Sequence, residues 1–217
     1  MVHNQLIVVL GSGHVGKTSV LQKYLNGTFS CKYNETIEDM HCHNVSIDGK
    51  QVMTKFLDTS GSIEFPAMRR LAIQKANAFM LVFAIDSKDS FAEVKRTWKE
   101  IKLTRNDHRD IPCIVIGNKL DRENYREVEC FEAMNWVGQN GLEGMMQEVS
   151  PKTGRNFENV FTKLFEQMGL CRALPKTVTK KKLCKKSLIE KCDKNAIASR
   201  ITRLFNWFAC GKTKTTE

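Results

Sequence analysis

The sequence predicts an α/β fold: a doubly wound, six-stranded, mostly parallel sheet with helices on both faces, followed by a basic extension. Three observations carry this prediction. Uninterrupted apolar runs such as Leu6-Ile7-Val8-Val9-Leu10 and Phe79-Met80-Leu81-Val82-Phe83-Ala84-Ile85 suit strands buried on both faces. Stretches with apolar residues at helical spacing lie between such runs, so strand and helix alternate along the chain. The first strand-to-helix junction, Gly11-Ser12-Gly13-His14-Val15-Gly16-Lys17-Thr18, has the spacing of a loop that cradles phosphates.

Taken in order, the strand at 6–10 leads through that loop into a helix over 16–26, where Ser19, Val20, Leu21, Tyr24 and Leu25 recur at helical spacing and Gly27 stops the helix. A polar loop from Phe29 to Asp39 is expected to be exposed. Strands at 40–47 and 51–57 are joined by Asp48-Gly49, a strong hairpin signal, and are therefore antiparallel. A helix over 64–75 precedes the strand at 79–85. Phe91, Val94, Trp98 and Ile101 then mark a helix stripe read as core, and a strand follows at 112–116. The pattern continues with a helix over 127–139, a short strand at 145–149, a loop at Ser150-Pro151-Lys152 and a closing helix over 154–169. That last helix carries Phe157, Val160, Phe161, Leu164, Phe165 and Met168 on one face.

The 217 residues suffice for one domain with an extension. Residues 1–170 carry equal numbers of basic and acidic side chains, so the formal excess of +10 lies wholly in residues 171–217, where 13 Lys/Arg face 3 Asp/Glu. A neutral body argues against a nucleic-acid surface on the domain. The 8 cysteines form no CxxC pair, which predicts free thiols in a reducing compartment. His41-Cys42-His43 lies in an alternating run without spaced partners and reads as a solvated strand edge rather than a metal cluster.

In the first loop the chemistry follows from residue type. Glycines let backbone N–H groups wrap phosphates, Lys17 brings charge to the terminal phosphates, Thr18 offers a hydroxyl to Mg²⁺, and the helix adds its positive dipole end. The strand ending in Asp58-Thr59-Ser60-Gly61 places a carboxylate where Mg²⁺ or its waters could be held. Gly117-Asn118-Lys119-Leu120-Asp121 emerges at the carboxyl end of a later strand, the edge at which open α/β sheets bind ligands.

These segments, in this order and spacing, resemble the Ras family of small GTPases over residues 5–170, and Phe65-Pro66-Ala67-Met68-Arg69-Arg70 is similar to its Di-Ras and dexamethasone-inducible Ras-like branch. The resemblance implies a P-loop NTPase G domain that binds GTP or GDP with Mg²⁺. By it, Asp121 reads the guanine N1–H and exocyclic amine, Asn118 and Lys119 brace the loops, Phe29 packs edge-on against the base, and Ser150, Pro151 and Lys152 form the remaining base loop. It also implies nucleotide contacts along Gly11, Ser12, Gly13, His14, Val15, Gly16, Lys17, Thr18 and Ser19, and metal ligation by Thr18, Thr36 and Asp58. Catalytic roles fall to Lys17, Thr36, Gly61 and Ser62, with Thr36 and Gly61 sensing the γ-phosphate. Tyr33, Asn34, Glu35, Thr36, Ile37, Glu38 and Asp39 look like the family's effector loop.

Three departures shape the expectation. Ser62 stands where most of the family has the glutamine that positions the attacking water, which predicts slow hydrolysis. His14 replaces a glycine of the loop and is read as solvent-facing. Pro151 replaces an alanine whose backbone N–H meets the guanine O6, and proline has no N–H to give.

The tail holds Lys180-Lys181-Lys182 and Lys185-Lys186, readable as a solvated tail, an import signal or a lipid contact. Ile197, Ile201, Leu204, Phe205 and Phe208 recur at spacings of three and four beside Lys194, Arg200 and Arg203. That pattern suits an amphipathic helix in a membrane interface or one docked on the domain. No C-a-a-X prenyl site is predicted, whereas Cys184, Cys192 or Cys210 are candidates for palmitoylation. The combined expectation is a Ras-like domain over 1–170 and a basic tail over 171–217. The whole acts as a slow GTPase switch in signal transduction, cytoplasmic and associated with the cytoplasmic face of a membrane, with a nuclear address as the alternative. Its expected partners are effector proteins, an exchange factor, a GTPase-activating protein and an anionic membrane surface, with no nucleic acid. The alternative function is a largely GTP-bound, non-cycling binding module recruited to membranes.

Overall fold

Apolar runs and helical stripes resolve into β1 (Asn4–Leu10), α1 (Lys17–Asn26), β2 (Glu38–Ile47), β3 (Lys50–Thr59), α2 (Pro66–Lys75), β4 (Ala78–Ala84), α3 (Lys88–Thr104), β5 (Cys113–Asn118), α4 (Cys130–Gln139), β6 (Met146–Glu148) and α5 (Glu158–Gln167). The computed structural model describes residues 4–30, 36, 38–47, 50–59, 66–142 and 144–170. The chain divides into two units, Met1–Val178 and Thr179–Glu217, and the described residues all belong to the first. The Asp48-Gly49 turn, Tyr33, Asn34, Glu35, Ile37, Gly61, Ser62 and the tail with its basic cluster, apolar stripe and cysteines lie outside the described residues.

The six strands form one sheet in the order β2-β3-β1-β4-β5-β6. β2 and β3 are antiparallel, in register from Glu38↔Thr59 to Ile47↔Lys50. The pairings β1–β3, β1–β4, β4–β5 and β5–β6 are parallel. β1 is therefore the strand from which the order runs outward both ways, the switch point where ligands of such sheets bind.

Alternate residues of each strand supply the two faces. On one face Ile7, Val9, Phe56, Met80, Val82 and Ile116 pack with Val20 and Leu21 of α1 and Val160, Phe161 and Leu164 of α5. Tyr24 stacks on Phe161 there, with ring centroids 3.6 Å apart. On the other, Phe83 meets Phe91 of α3, which in turn meets Trp136 of α4 edge-on. The stripe Phe91, Val94, Trp98 and Ile101 is buried, as its spacing predicts.

Boundaries shift where the backbone is committed elsewhere. α1 begins at Lys17 rather than 16 because Gly16 has φ 90°, outside the helical region. α2 begins at Pro66, a residue suited to the first helical position. α4 begins at Cys130 rather than 127, because the N–H groups of Glu127 and Val128 both donate to Ile85 O. A 3₁₀ segment, Leu120–Tyr125, which the sequence pattern does not announce, precedes it. α5 begins at Glu158 rather than 154, since Gly154 (φ 77°) and Asn156 (φ 56°) take left-handed conformations. The His41-Cys42-His43 run lies on edge strand β2, with Cys42 exposed, and no metal-holding group of His, Cys, Asp or Glu occurs among the described residues.

Candidate functional site

The loop between β1 and α1 is shaped by what glycine lacks. Gly11 has φ 149°, and a Cβ there would run into the Val82 carbonyl; a Cβ at Gly16 would run into the Asn118 side-chain amide. Gly13 has open space around it, and Val15 is buried beneath the loop. His14 is exposed, as expected, and has φ 60°, a conformation that L side chains adopt at a cost. Ser12 Oγ donates to Gly13 O (3.2 Å), and Ser19 is half-buried in the first turn of α1.

Lys17 is the loop's buried cation, 6% exposed. Its Nζ donates to Gly11 O (3.0 Å) and Ser12 O (2.8 Å), so the ammonium is held by main-chain carbonyls of the loop. Burial pushes the Lys17 ammonium down to about 8, against the opposing pull of the Asp58 carboxylate and aided by Arg69. A desolvated ammonium at a helix N-terminus is a strong donor site for anionic oxygen.

Thr18, Thr36 and Asp58 converge from three segments. Thr18 Oγ1 donates to Asp58 Oδ2 (2.6 Å) and lies 3.0 Å from Thr36 Oγ1. Asp58 Oδ1 is buried and has no hydrogen-bond partner among the described residues. Burial raises the Asp58 carboxyl above its ordinary range, while the Thr18 hydroxyl and Lys17 act to lower it. Hard oxygen ligands around one unsatisfied carboxylate oxygen fit a hard divalent cation such as Mg²⁺.

The other end of the site follows β5. Asn118 Nδ2 donates to Val15 O (2.8 Å), while its Oδ1 accepts from Lys119 N (2.7 Å), so this side chain ties the later loop to the first. Lys119 is left-handed at φ 66° and its Nζ lies 3.3 Å from Asp86 Oδ1. Asp121 Oδ1 accepts from Ser150 Oγ (2.6 Å), and Lys152 Nζ lies 3.9 Å from Asp121 Oδ2. Ser150 also binds the turn after it, accepting at its carbonyl from Gly154 N (2.8 Å) and at Oγ from Thr153 N (3.2 Å). Pro151 is buried and Lys152 exposed in this turn, and Phe29 is half-buried after α1. Glu38 and Asp39 open β2.

Several supporting residues carry no motif. Arg126, 10% exposed, donates to both oxygens of Glu148 (2.7 and 2.8 Å), to Glu123 (2.9 and 2.8 Å) and to Val128 O (2.8 Å), joining the 3₁₀ segment to β6. Arg69 of α2 donates to Glu100 (2.9 Å) and Thr97 (2.7 Å) of α3. Arg105 Nη1 caps the end of α2 at Ile73 O, Gln74 O and Ala76 O. Basic residues 22–32 positions from their partners give no local signal in sequence.

The Ras family profile matches residues 6–169. Similar proteins include GTP-binding protein Rhes of Mus musculus, 40% identical over 173 residues that cover 76% of this chain and 64% of that protein. GTP-binding protein Di-Ras1 of Homo sapiens is 40% identical over 158 residues, 73% of this chain and 78% of that protein. GTP-binding protein drn-1 of Caenorhabditis elegans is 39% identical over 166 residues, 75% and 72% respectively. The chain thus spans 64% of the length of the Rhes protein it matches. Di-Ras1 among these relatives agrees with the branch suggested by the residues after β3.

Proposed function

This chain belongs to the Ras family, and from that premise we propose that it is a guanine-nucleotide switch with slow GTP hydrolysis. The observation that carries the proposal is the meeting, at one sheet edge, of a buried cation at Lys17, an oxygen cluster at Thr18, Thr36 and Asp58, and a carboxylate at Asp121, bridged by Asn118. Such a site offers a place for polyphosphate at one end and for a base rich in N–H donors at the other.

In this role Lys17 and the backbone of Gly13, His14, Val15 and Gly16 hold the phosphates, and Asp121 accepts from the guanine N1–H and amine. Thr18, Thr36 and Asp58 would hold Mg²⁺, which when bound neutralises phosphate charge. Thr36 and Gly61 orient the terminal phosphate, and the loop of Tyr33, Asn34, Glu35, Thr36, Ile37, Glu38 and Asp39 presents the effector surface. The basic residues of 171–217 add attraction to an anionic, cytoplasmic membrane face. No described helix is long and apolar enough to cross a membrane.

The test is nucleotide binding by the full chain. GTP and GDP should compete for a fluorescent guanine nucleotide and ATP should not; ATP competing equally would remove the guanine assignment. A second reading, a GTP-bound module that barely cycles, is favoured by Ser62 at the water-positioning place. Ser62→Gln is expected to raise single-turnover hydrolysis, because the longer amide can orient water. An unchanged rate would show that Ser62 is not what limits the site.

A further inference from the structure

Asp86 belongs to none of the motifs above, yet its side chain is only 8% exposed and is ion-paired with two cations, although its Oδ1 accepts no hydrogen bond among the described residues. It sits in the turn after β4. That turn is tied to both ends of the 118–128 segment: Ile85 N donates to Asn118 O (3.0 Å), and Ile85 O accepts from Glu127 N (2.8 Å) and Val128 N (3.0 Å). From this fixed platform Asp86 Oδ2 lies 2.6 Å from Arg122 Nη1 and Oδ1 lies 3.3 Å from Lys119 Nζ.

Lys119 and Arg122 bracket Asp121 in the chain. Lys119 is in the left-handed region, which a lysine adopts at a cost and which its ion pair and its N–H bond to Asn118 Oδ1 help to hold. Arg122 is fixed further by lying over the Tyr125 ring, 5.3 Å from the centroid. Resting on the guanine-binding reading, we infer that Asp86 is a positioning residue that aims the Asp121 carboxylate at the base. It does so by pinning the residues on either side of Asp121 and by occupying two cations that would otherwise join Lys152, 3.9 Å from Asp121 Oδ2, at that carboxylate. A carboxylate already paired with a neighbouring ammonium or guanidinium is a poorer acceptor for an incoming base.

The experiment compares release of GDP with release of inosine diphosphate, which lacks the exocyclic amine and so makes one hydrogen bond fewer to Asp121. The parent should release GDP about tenfold more slowly than inosine diphosphate, the size expected of one hydrogen bond to a charged group. In Asp86→Ala, GDP release should accelerate about five- to tenfold, while inosine diphosphate release changes less, so that the ratio shrinks toward about two. General loosening of the fold would speed both nucleotides by the same factor, and an unchanged ratio overturns the inference. Asp86→Asn, which keeps the shape and loses the charge, should behave like Asp86→Ala; full retention of the parent ratio in it also counts against the inference. Arg122 is half exposed, so Arg122→Ala carries the same comparison if Asp86→Ala does not fold. It should shift the ratio in the same direction by a smaller amount, because it loosens one pin without freeing a cation toward Asp121. Failure of the parent chain to bind either diphosphate would instead retire the nucleotide reading on which the inference rests.

Discussion

At the phosphate end, Lys17 is held by the carbonyls of Gly11 and Ser12, and the loop closes because Gly11 and Gly16 have no Cβ to meet Val82 and Asn118. At the base end, Asp121 is held by the Ser150 hydroxyl, flanked by Lys119 and Arg122 on Asp86, and backed by Arg126 on Glu148. The first construction is mostly main chain of one loop, tied from a distance by Asn118; the second is side chain to side chain and drawn from four segments. The phosphate end should therefore fail abruptly when one chemical group is removed, and the base end gradually, with selectivity changing before binding is lost.

The largest expected effect is at the phosphate end. If Lys17 holds phosphate as proposed, Lys17→Ala removes a charge-assisted contact to it and should weaken GDP and GTP on the order of a hundredfold in equilibrium titration. Asp121→Ala should weaken guanine nucleotides by about tenfold or more while leaving the residual phosphate-driven affinity similar for GDP and ADP. Equal losses of affinity and unchanged base selectivity in both variants would break the comparison.

Next in size is Arg126→Ala. The substitution leaves Glu148, whose side chain is 12% exposed, without its cation. A loss of about 2 kcal/mol is expected, seen as a fall of about 4–8 °C in thermal unfolding. Retained stability would mean that Glu148 finds another donor and that the base end is less dependent on its side-chain support than the geometry indicates.

A smaller effect is expected at Pro151. Pro151→Ala restores an N–H in the turn beside Asp121, and a gained hydrogen bond of about 1 kcal/mol should slow GDP release about five-fold in Mg²⁺ buffer. Identical rates would mean that the guanine O6 has another partner.

Legibility in the sequence follows the same division. The strand, loop and helix around Lys17 are contiguous, so the apolar run, the glycine spacing and the helical stripe announce them together. Asp58 and Asp121 lie at the ends of runs that read as strands, and their places at the carboxyl edge of the sheet follow from the alternation of elements. Asp86, Arg126 and Arg69 are not announced, because each looks like an ordinary charged surface residue until folding brings its partner 22 to 36 residues away into reach. The 3₁₀ segment Leu120–Tyr125 escapes for a related reason: it is set by Lys119 turning left-handed, and no apolar periodicity marks it. At Pro151 the sequence reveals the missing donor, and the geometry adds how tightly Ser150 ties that turn to Asp121.

The bond from Asn118 Nδ2 to Val15 O joins residues 103 apart in the chain. A contact of that separation is costly to close early, since loop-closure entropy must be met before it forms. Both halves of the site follow strands whose neighbours come from distant parts of the sequence, β1 between β3 and β4, and β5 between β4 and β6. The site is consequently complete only where the central sheet holds β1 and β5 in place together. A bound nucleotide would then report the maturation of the whole domain, and a destabilised variant should lose it by a drop in the fraction of competent molecules before any contact to the ligand is altered.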